Sequence, residues 1–223
     1  MNDIFFIKSI HLTNFRNYKN TSLDLGKKTT IIIGRNGAGK TNMITAIKQS
    51  LSFIFSKKKD APQYNFVASS DQKVKSFLPT DPYYVDGDYR YPVVIGTEVQ
   101  LYEDANLLSW EFRKQSADKG INESYVTACI KFWKKVYNTN KIPVFAFFSD
   151  SYPHIQSTMG KNMQDKLDSG NPLPQNTAYY KWDDERNCTE LWKQYFVMNW
   201  KNARFDNDNK AREKYCDAIE KAL

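Results

Sequence analysis

From its first residues the chain sets apolar runs of strand character against stretches where apolar positions return every three or four residues. Ile4–Leu12 is strand-like, Thr13-Asn14-Phe15-Arg16-Asn17-Tyr18 is a polar turn carrying two aromatics, and Thr21–Leu25 alternates as a second strand. Thr29-Thr30-Ile31-Ile32-Ile33 follows Lys27-Lys28 as a β-branched run, the pattern of a buried strand. Met43/Ile44, Ile47, Leu51 and Ile54/Phe55 then recur at helical spacing with Asn42, Lys48 and Gln49 between them. Residues 57–90 keep no period and read as an irregular insertion rich in Lys, Asp, Ser, Pro and Tyr. Tyr91–Tyr102 and Leu107–Lys114 are predicted strands around a turn at Asp104-Ala105-Asn106. From Asn122 to Tyr137 an apolar stripe of Val126, Cys129/Ile130, Trp133 and Val136/Tyr137 opposes Lys131, Lys134 and Lys135, which predicts a helix. Pro143 introduces the apolar run Val144–Phe148, and Ser151–Asn176, with Gly160, Gly170, Pro172 and Pro174, reads as a long loop. Two helices are predicted to close the chain, one on Leu191/Trp192, Tyr195/Phe196 and Asn199/Trp200, the other on Ala211, Tyr215, Ala218/Ile219 and Leu223.

Composition narrows the class. Of the 223 residues 41% are hydrophobic and 15% aromatic, enough to build a core, so global disorder is excluded. The apolar runs are too short to span a bilayer or to serve as a signal-peptide core, and the expectation is a cytoplasmic chain that does not engage membranes. The three cysteines, Cys129, Cys188 and Cys216, are widely spaced and unpaired in sequence, as reduced core residues are. His11 and His154 have no Cys or His at ligand spacing.

The net charge of +7 is unevenly placed. Residues 1–60 hold eleven Lys/Arg against Asp3, Asp24 and Asp60, while the remainder is nearly balanced, with 21 basic and 22 acidic groups. Such a surplus suits a phosphate-bearing ligand, although Lys57–Lys59 read equally well as a solvated face. Inside this segment stands Gly34-Arg35-Asn36-Gly37-Ala38-Gly39-Lys40-Thr41, a complete G-x-x-x-x-G-K-T between a predicted strand and a predicted helix. Its glycines let backbone N–H groups converge on phosphates, and the helix N-terminus adds partial positive charge. Lys40 would reach the β- and γ-phosphates of a nucleotide and the Thr41 hydroxyl would ligate Mg²⁺, a pattern that by itself does not separate kinases, GTPases and ATPases.

Ile10-His11-Leu12-Thr13-Asn14-Phe15-Arg16-Asn17-Tyr18, followed sixteen residues later by GRNGAGKT, resembles the opening of RecF/SMC-type ABC ATPase heads. That family begins with an I-x-L-x-N-F-R-x-Y strand and turn, and its phosphate loop reads G-x-N-G-x-G-K-T/S. The resemblance implies an α/β P-loop NTPase fold, the N-terminal half of a head, with an antiparallel β-subsheet and C-terminal helices. It places Arg16 near the nucleotide, where a surface turn arginine is the plainer alternative, and has Asn36 contact the phosphates. Gly34, Arg35, Asn36, Gly37, Ala38, Gly39, Lys40, Thr41 and Asn42 complete the expected nucleotide site. Phe15 and Tyr18 are better suited to anchoring the core than to stacking on a base. On this reading 1–223 is one P-loop region: strand, turn, strand, loop and helix over 1–56, the insertion at 57–90, antiparallel strands with a helix and an apolar strand over 91–150, and a loop with a helical segment over 151–223. The match is strong over 4–55 and loose over 91–200.

Val144–Phe148 admits three readings. An apolar strand before an acid has the form of a Walker B, with Asp150 a partner of Mg²⁺ through water, but Ser149 intervenes and no glutamate follows. The resemblance favours instead the strand before the Q-loop, where Gln156 is the nearest glutamine, and a plain buried strand fits as well. Asp183-Asp184-Glu185 lacks a preceding apolar strand and suits the N-terminus of the first closing helix.

The sequence contains no LSGG-like signature, no hydrophobic-strand-Asp-Glu pair and no downstream switch histidine, and the absence of NKxD argues against a GTPase. In the resembled family hydrolysis requires a second ATPase head, and the other half of each head follows an inserted arm. Three functions follow: an ATP-binding half-head that hydrolyses when a signature and a Walker B are supplied elsewhere, a non-hydrolysing ATP-binding module, or a P-loop kinase. The kinase is weakest, since its lid needs arginines and only Arg90 lies in 57–90 and none in 151–176. DNA repair, chromosome maintenance and phage defence all use such heads. DNA is a possible partner, though the interleaved Lys and aromatics are too scattered to define a groove.

Overall fold

A computed structural model describes residues 5–56, 74–101, 107–122, 124–139, 143–145, 159–169 and 179–183, together with 147, 171, 173, 177, 197 and 213. Its strands β1 (Phe5–Phe15), β2 (Tyr18–Asp24), β5 (Val93–Leu101) and β6 (Leu107–Lys114) form one antiparallel sheet in the order β2–β1–β5–β6. Between β2 and β5 lie helix α1 (Lys40–Leu51), continued by a 3₁₀ turn at Ser52–Phe55, and a small hairpin of β3 (Tyr84–Val85) and β4 (Asp88–Tyr89). Helix α2 (Tyr125–Thr139) follows β6, and α3 (Lys161–Asp168) lies further on. Met1–Val144 and Phe145–Leu223 form separate compact units.

In the first unit the two-residue rhythm sends Ile10 and Leu12 of β1, Val93, Ile95, Thr97, Val99 and Leu101 of β5, and Leu108, Trp110 and Phe112 of β6 into the core. The extra residue between Ile7 and Ser9 forms a bulge in β1, after which Ile10 pairs with Thr97 and Leu12 with Ile95. The opposite face is polar: His11 bonds Ser22 at 2.9 Å and Thr13 at 3.0 Å, and Ser9 donates to Glu98. Helical segments cover the apolar face. Trp110 Nε1 donates to the Ser50 carbonyl at 2.9 Å, and Phe53 packs on Trp110 and Phe132 with centroids 4.3 and 5.5 Å apart. Cys129, Trp133 and Val136 of the stripe predicted for α2 are fully buried, Val126 and Ile130 are half-buried, and Phe132, outside that stripe, is buried with them.

Thr29–Ile33 corrects an expectation. This run is not a strand: it has no ladder partner among the described residues, and Ile31 and Ile33 are 77% and 88% exposed. A strand before a phosphate loop is buried by parallel neighbours, and every described pairing here is antiparallel. The apolar run at 144–148 is not a strand in its described part either. Val144 is 91% exposed, whereas Phe145 stacks on Tyr179 at 5.1 Å and meets Trp182 at 5.4 Å.

Two elements lie where irregular chain was expected. The β3–β4 hairpin turns at Asp86-Gly87, a dipeptide suited to left-handed turns. Helix α3 falls inside the predicted loop 151–176 because Met163 and Leu167, one helical turn apart, are its only buried residues. In that second unit Gly160 N–H donates to Tyr180 Oη at 2.9 Å, and Asp183 is buried in a turn. Asp150, His154, Gln156, Asp184, Glu185, Cys188 and Cys216 lie outside the described residues, as do the closing helices apart from Val197 and Glu213, both helical. Among the described residues no helix is long and apolar enough to cross a membrane.

Candidate nucleotide-binding site

Residues 34–39 form an exposed turn leading directly into α1. Two glycines take backbone conformations that L-residues rarely adopt, Gly37 at φ 81° and Gly39 at φ 95°. Gly39 caps α1, its carbonyl accepting from Met43 N–H at 2.9 Å. The N–H groups of Lys40, Thr41 and Asn42 therefore have no partner within the helix, and the first turn carries no acidic side chain. An anion is the ligand this end of the helix favours.

Lys40 Nζ folds back over the loop, donating to the carbonyls of Gly34 at 2.7 Å and Arg35 at 2.8 Å. The loop thus encircles its own ammonium. Arg35, Asn36, Gly37 and Ala38 are exposed around it, and Ala38 N–H closes a turn on the Arg35 carbonyl at 3.2 Å. The donor set of ammonium and backbone N–H groups fits a polyphosphate. Thr41, exposed in the first helical turn, offers one hard oxygen, which suits a Mg²⁺ that takes its remaining ligands from phosphate and water.

The turn between β1 and β2 lies against this loop. Chain reversal occupies only Arg16 and Asn17, since Phe15 already pairs with Tyr18. Tyr18 Oη donates to the Gly39 carbonyl at 3.1 Å, and burial holds its phenol above the ordinary value of 10.0. The protonated form that donates this bond is therefore complete at neutral pH and is lost only as pH rises through that raised value. Asn17 approaches so closely that a Cβ on Gly39 would overlap its Nδ2 and stand 2.8 Å from both Asn17 Oδ1 and Tyr18 Oη.

Arg16 is the centre of a polar network. Its Nε donates to Asp81 Oδ1 at 2.9 Å and its Nη1 to Asn42 Oδ1 at 2.9 Å, while Asn42 Nδ2 donates to Asn17 Oδ1 at 2.9 Å. The guanidinium carbon lies 5.4 Å from the ring centroid of Phe15, a fully buried core residue. Arg16 is thus brought beside the first turn of α1. Asn42 sits one residue past Thr41, the last residue of the G-x-x-x-x-G-K-T string, with its amide joining Arg16 to Asn17. Tyr18, expected as a core anchor, is half-buried and reaches the loop instead, and Asn17 and Asp81 join the site with it. The motif string contained the first two, but no local pattern marks Asp81, 65 residues from Arg16.

The antiparallel sheet with its helices fits the α/β fold of a P-loop head of the RecF/SMC-like ABC kind. The chain belongs to the AAA domain family, which matches residues 9–214. It is also similar to curated proteins named DNA replication and repair protein RecF. With that of Clostridium botulinum (strain Loch Maree / Type A3) it shares 49% identity over 45 residues, 20% of this chain and 12% of the relative. With that of Clostridium acetobutylicum the identity is 48% over 42 residues, 19% and 12% of the two chains. With that of Clostridioides difficile (strain 630) it is 39% over 62 residues, 26% and 17%. The matched segments thus span 17% or less of these three relatives' own lengths.

Proposed function

We propose that this chain binds Mg·ATP through Gly34–Thr41 as the N-terminal half of a RecF/SMC-like ABC ATPase head. The observation that carries the reading is the phosphate loop closed around Lys40 and backed by the Arg16–Tyr18 turn. Lys40 exchanges its two loop carbonyls for phosphate oxygens, the loop N–H groups hold the same phosphates, and Thr41 supplies an oxygen to Mg²⁺. Arg16, whose remaining guanidinium N–H groups have no partner among the described residues, faces the nucleotide from the neighbouring turn. A Mg²⁺ held by the Thr41 hydroxyl would supply charge neutralisation at the phosphates.

Hydrolysis on this reading requires a Walker B carboxylate, a glutamate to orient water and a signature motif from a second head, all supplied by other segments. The exposed Ile31 and Ile33 support completion by such a segment over the alternative, a self-sufficient ATP-binding regulatory module, because a finished head buries the strand before its phosphate loop. The process served is DNA repair or maintenance, which the names of the relatives support, or phage defence. DNA and a second head are the proposed partners, in the cytoplasm.

Titrating a fluorescent ATP analogue with Mg²⁺ tests the site. Lys40→Ala should weaken binding about tenfold to a hundredfold, the worth of a charge-assisted contact of roughly 1.5–3 kcal/mol. Equal affinity in wild type and variant rules the loop out.

A further inference from the structure

Resting on the reading of Gly34–Thr41 as an ATP site, we propose that Asp81 is the positioning residue for Arg16. It sets the guanidinium against the nucleotide without touching the nucleotide itself. Asp81 belongs to a stretch whose sequence reads as irregular insertion, yet it is 1% exposed. A carboxylate is almost never so deeply buried unless it is paired. Its Oδ2 accepts from Leu78 N–H at 2.7 Å, and its own N–H donates to the Leu78 carbonyl at 3.0 Å, so the carboxylate is clamped within its turn. Oδ1 is thereby left facing Arg16 Nε.

The backbone repeats the contact: Arg16 N–H donates to the Asp81 carbonyl, Phe15 bridges to Pro82, and Tyr83 N–H donates to the Asn14 carbonyl at 2.8 Å. The segment after Leu78 is therefore stitched along the β1–β2 turn at three successive points. Arg16 is held there at φ 51°, left-handed for a residue with a Cβ, a conformation that persists only where surroundings impose it.

The guanidinium is fixed at two corners, Nε by Asp81 and Nη1 by Asn42 on α1. Its other N–H donors, on Nη1 and Nη2, have no partner among the described residues, and the side chain is 26% exposed. Because a guanidinium is planar, two fixed corners fix the direction of the rest. Asp81 also opposes the charge of Arg16, so two effects compete when it is neutralised. Through-space electrostatics alone would tighten ATP binding, since one negative charge beside a polyanion is removed. Loss of orientation weakens binding, and a pinned donor fork makes orientation the larger effect.

The experiment is a cycle of fluorescent ATP-analogue titrations with Mg²⁺ on wild type, Arg16→Ala, Asp81→Asn, the double variant and Lys40→Ala. Expected are about tenfold weaker binding for Arg16→Ala and about fivefold for Asp81→Asn, with the double variant within about twofold of Arg16→Ala. A merely structural Asp81 would add its loss in the Arg16→Ala background, and that result overturns the proposal. Unchanged or tighter binding by Asp81→Asn overturns it as well. Should Asp81→Asn alone fail to fold, the comparison of Arg16→Ala with the double variant, in which both charges are gone, decides by the same criterion. If Lys40→Ala binds like wild type, the loop reading itself fails and Asp81 with it. If Lys40→Ala is weakened and Asp81→Asn is not, the positioning role alone fails.

Discussion

Gly39→Ala should reduce ATP affinity by a few hundredfold, more than removal of the phosphate-loop lysine. Two costs combine. At φ 95° an alanine is strained whatever the surrounding space, by about 1–2 kcal/mol. The new Cβ also overlaps the Asn17 amide and crowds Tyr18 Oη. Asn17 must then release Asn42, and Tyr18 its hold on the Gly39 carbonyl, each hydrogen bond being worth about 1 kcal/mol. An unliganded loop relaxes away from this geometry, and nucleotide binding must then restore it, so the strain is subtracted from affinity. Gly37→Ala is the control. Gly37 also has positive φ, but a Cβ there meets nothing within 4 Å, and the loss should stay near tenfold. Calorimetric titration of both variants with Mg·ATP checks the order. Equal losses would mean that the Asn17–Tyr18 turn does not bear on the loop in solution.

The contrast between those glycines also shows what a sequence conveys and what it withholds. Local periodicity was enough to place β6, whose bounds coincide with the predicted Leu107–Lys114, and α2, in which Cys129, Trp133 and Val136 of the predicted stripe are buried. It was enough to find α1, because glycine spacing and helix rhythm are written in consecutive residues, but not its buried face, where Ile44 is exposed and Ala46, Gln49 and Ser50 are buried. It failed at Thr29–Ile33, where β-branched composition describes a strand but burial depends on neighbours from elsewhere. It overlooked α3, in which two buried side chains are too few to make a period, and the hairpin at Asp86-Gly87, hidden in a polar stretch. The site divides the same way. Lys40 and the loop glycines are contiguous and legible. The support of Arg16 comes from Asp81, through a contact that only folding creates.

The 223 residues alone should hydrolyse ATP negligibly, even when saturated with nucleotide. Phosphoryl transfer depends on holding the γ-phosphate, Mg²⁺ and an attacking water in line while stabilising the developing charge. On the proposed reading the loop and Lys40 would answer for the phosphates, and Thr41 for one position on the metal. Arg16 adds a cation, but Asp81 and Asn42 already commit its Nε and one Nη1 donor. Among the described residues that contact the loop or Arg16, no carboxylate is placed to orient a water. Asp81 cannot take that part, because both its oxygens are engaged, one by Arg16 and one by Leu78 N–H. Two copies brought together would therefore juxtapose two phosphate cradles with nothing to complete either one. Supplying in trans a segment with a signature motif and an apolar strand ending in Asp-Glu should raise turnover by on the order of a thousandfold or more, as missing transition-state groups do in phosphoryl transfer. The same addition should bury Ile31 and Ile33, so that Ile31→Asp blocks the rescue while leaving the affinity of the isolated chain for ATP within about twofold. Steady-state phosphate release, with Lys40→Ala as the control for contaminating ATPase, measures both. Turnover near 1 s⁻¹ by the unassisted chain, a common enzyme rate, abolished by Lys40→Ala, would show that a catalytic carboxylate is already present and would direct attention to Asp150 and Asp183–Glu185.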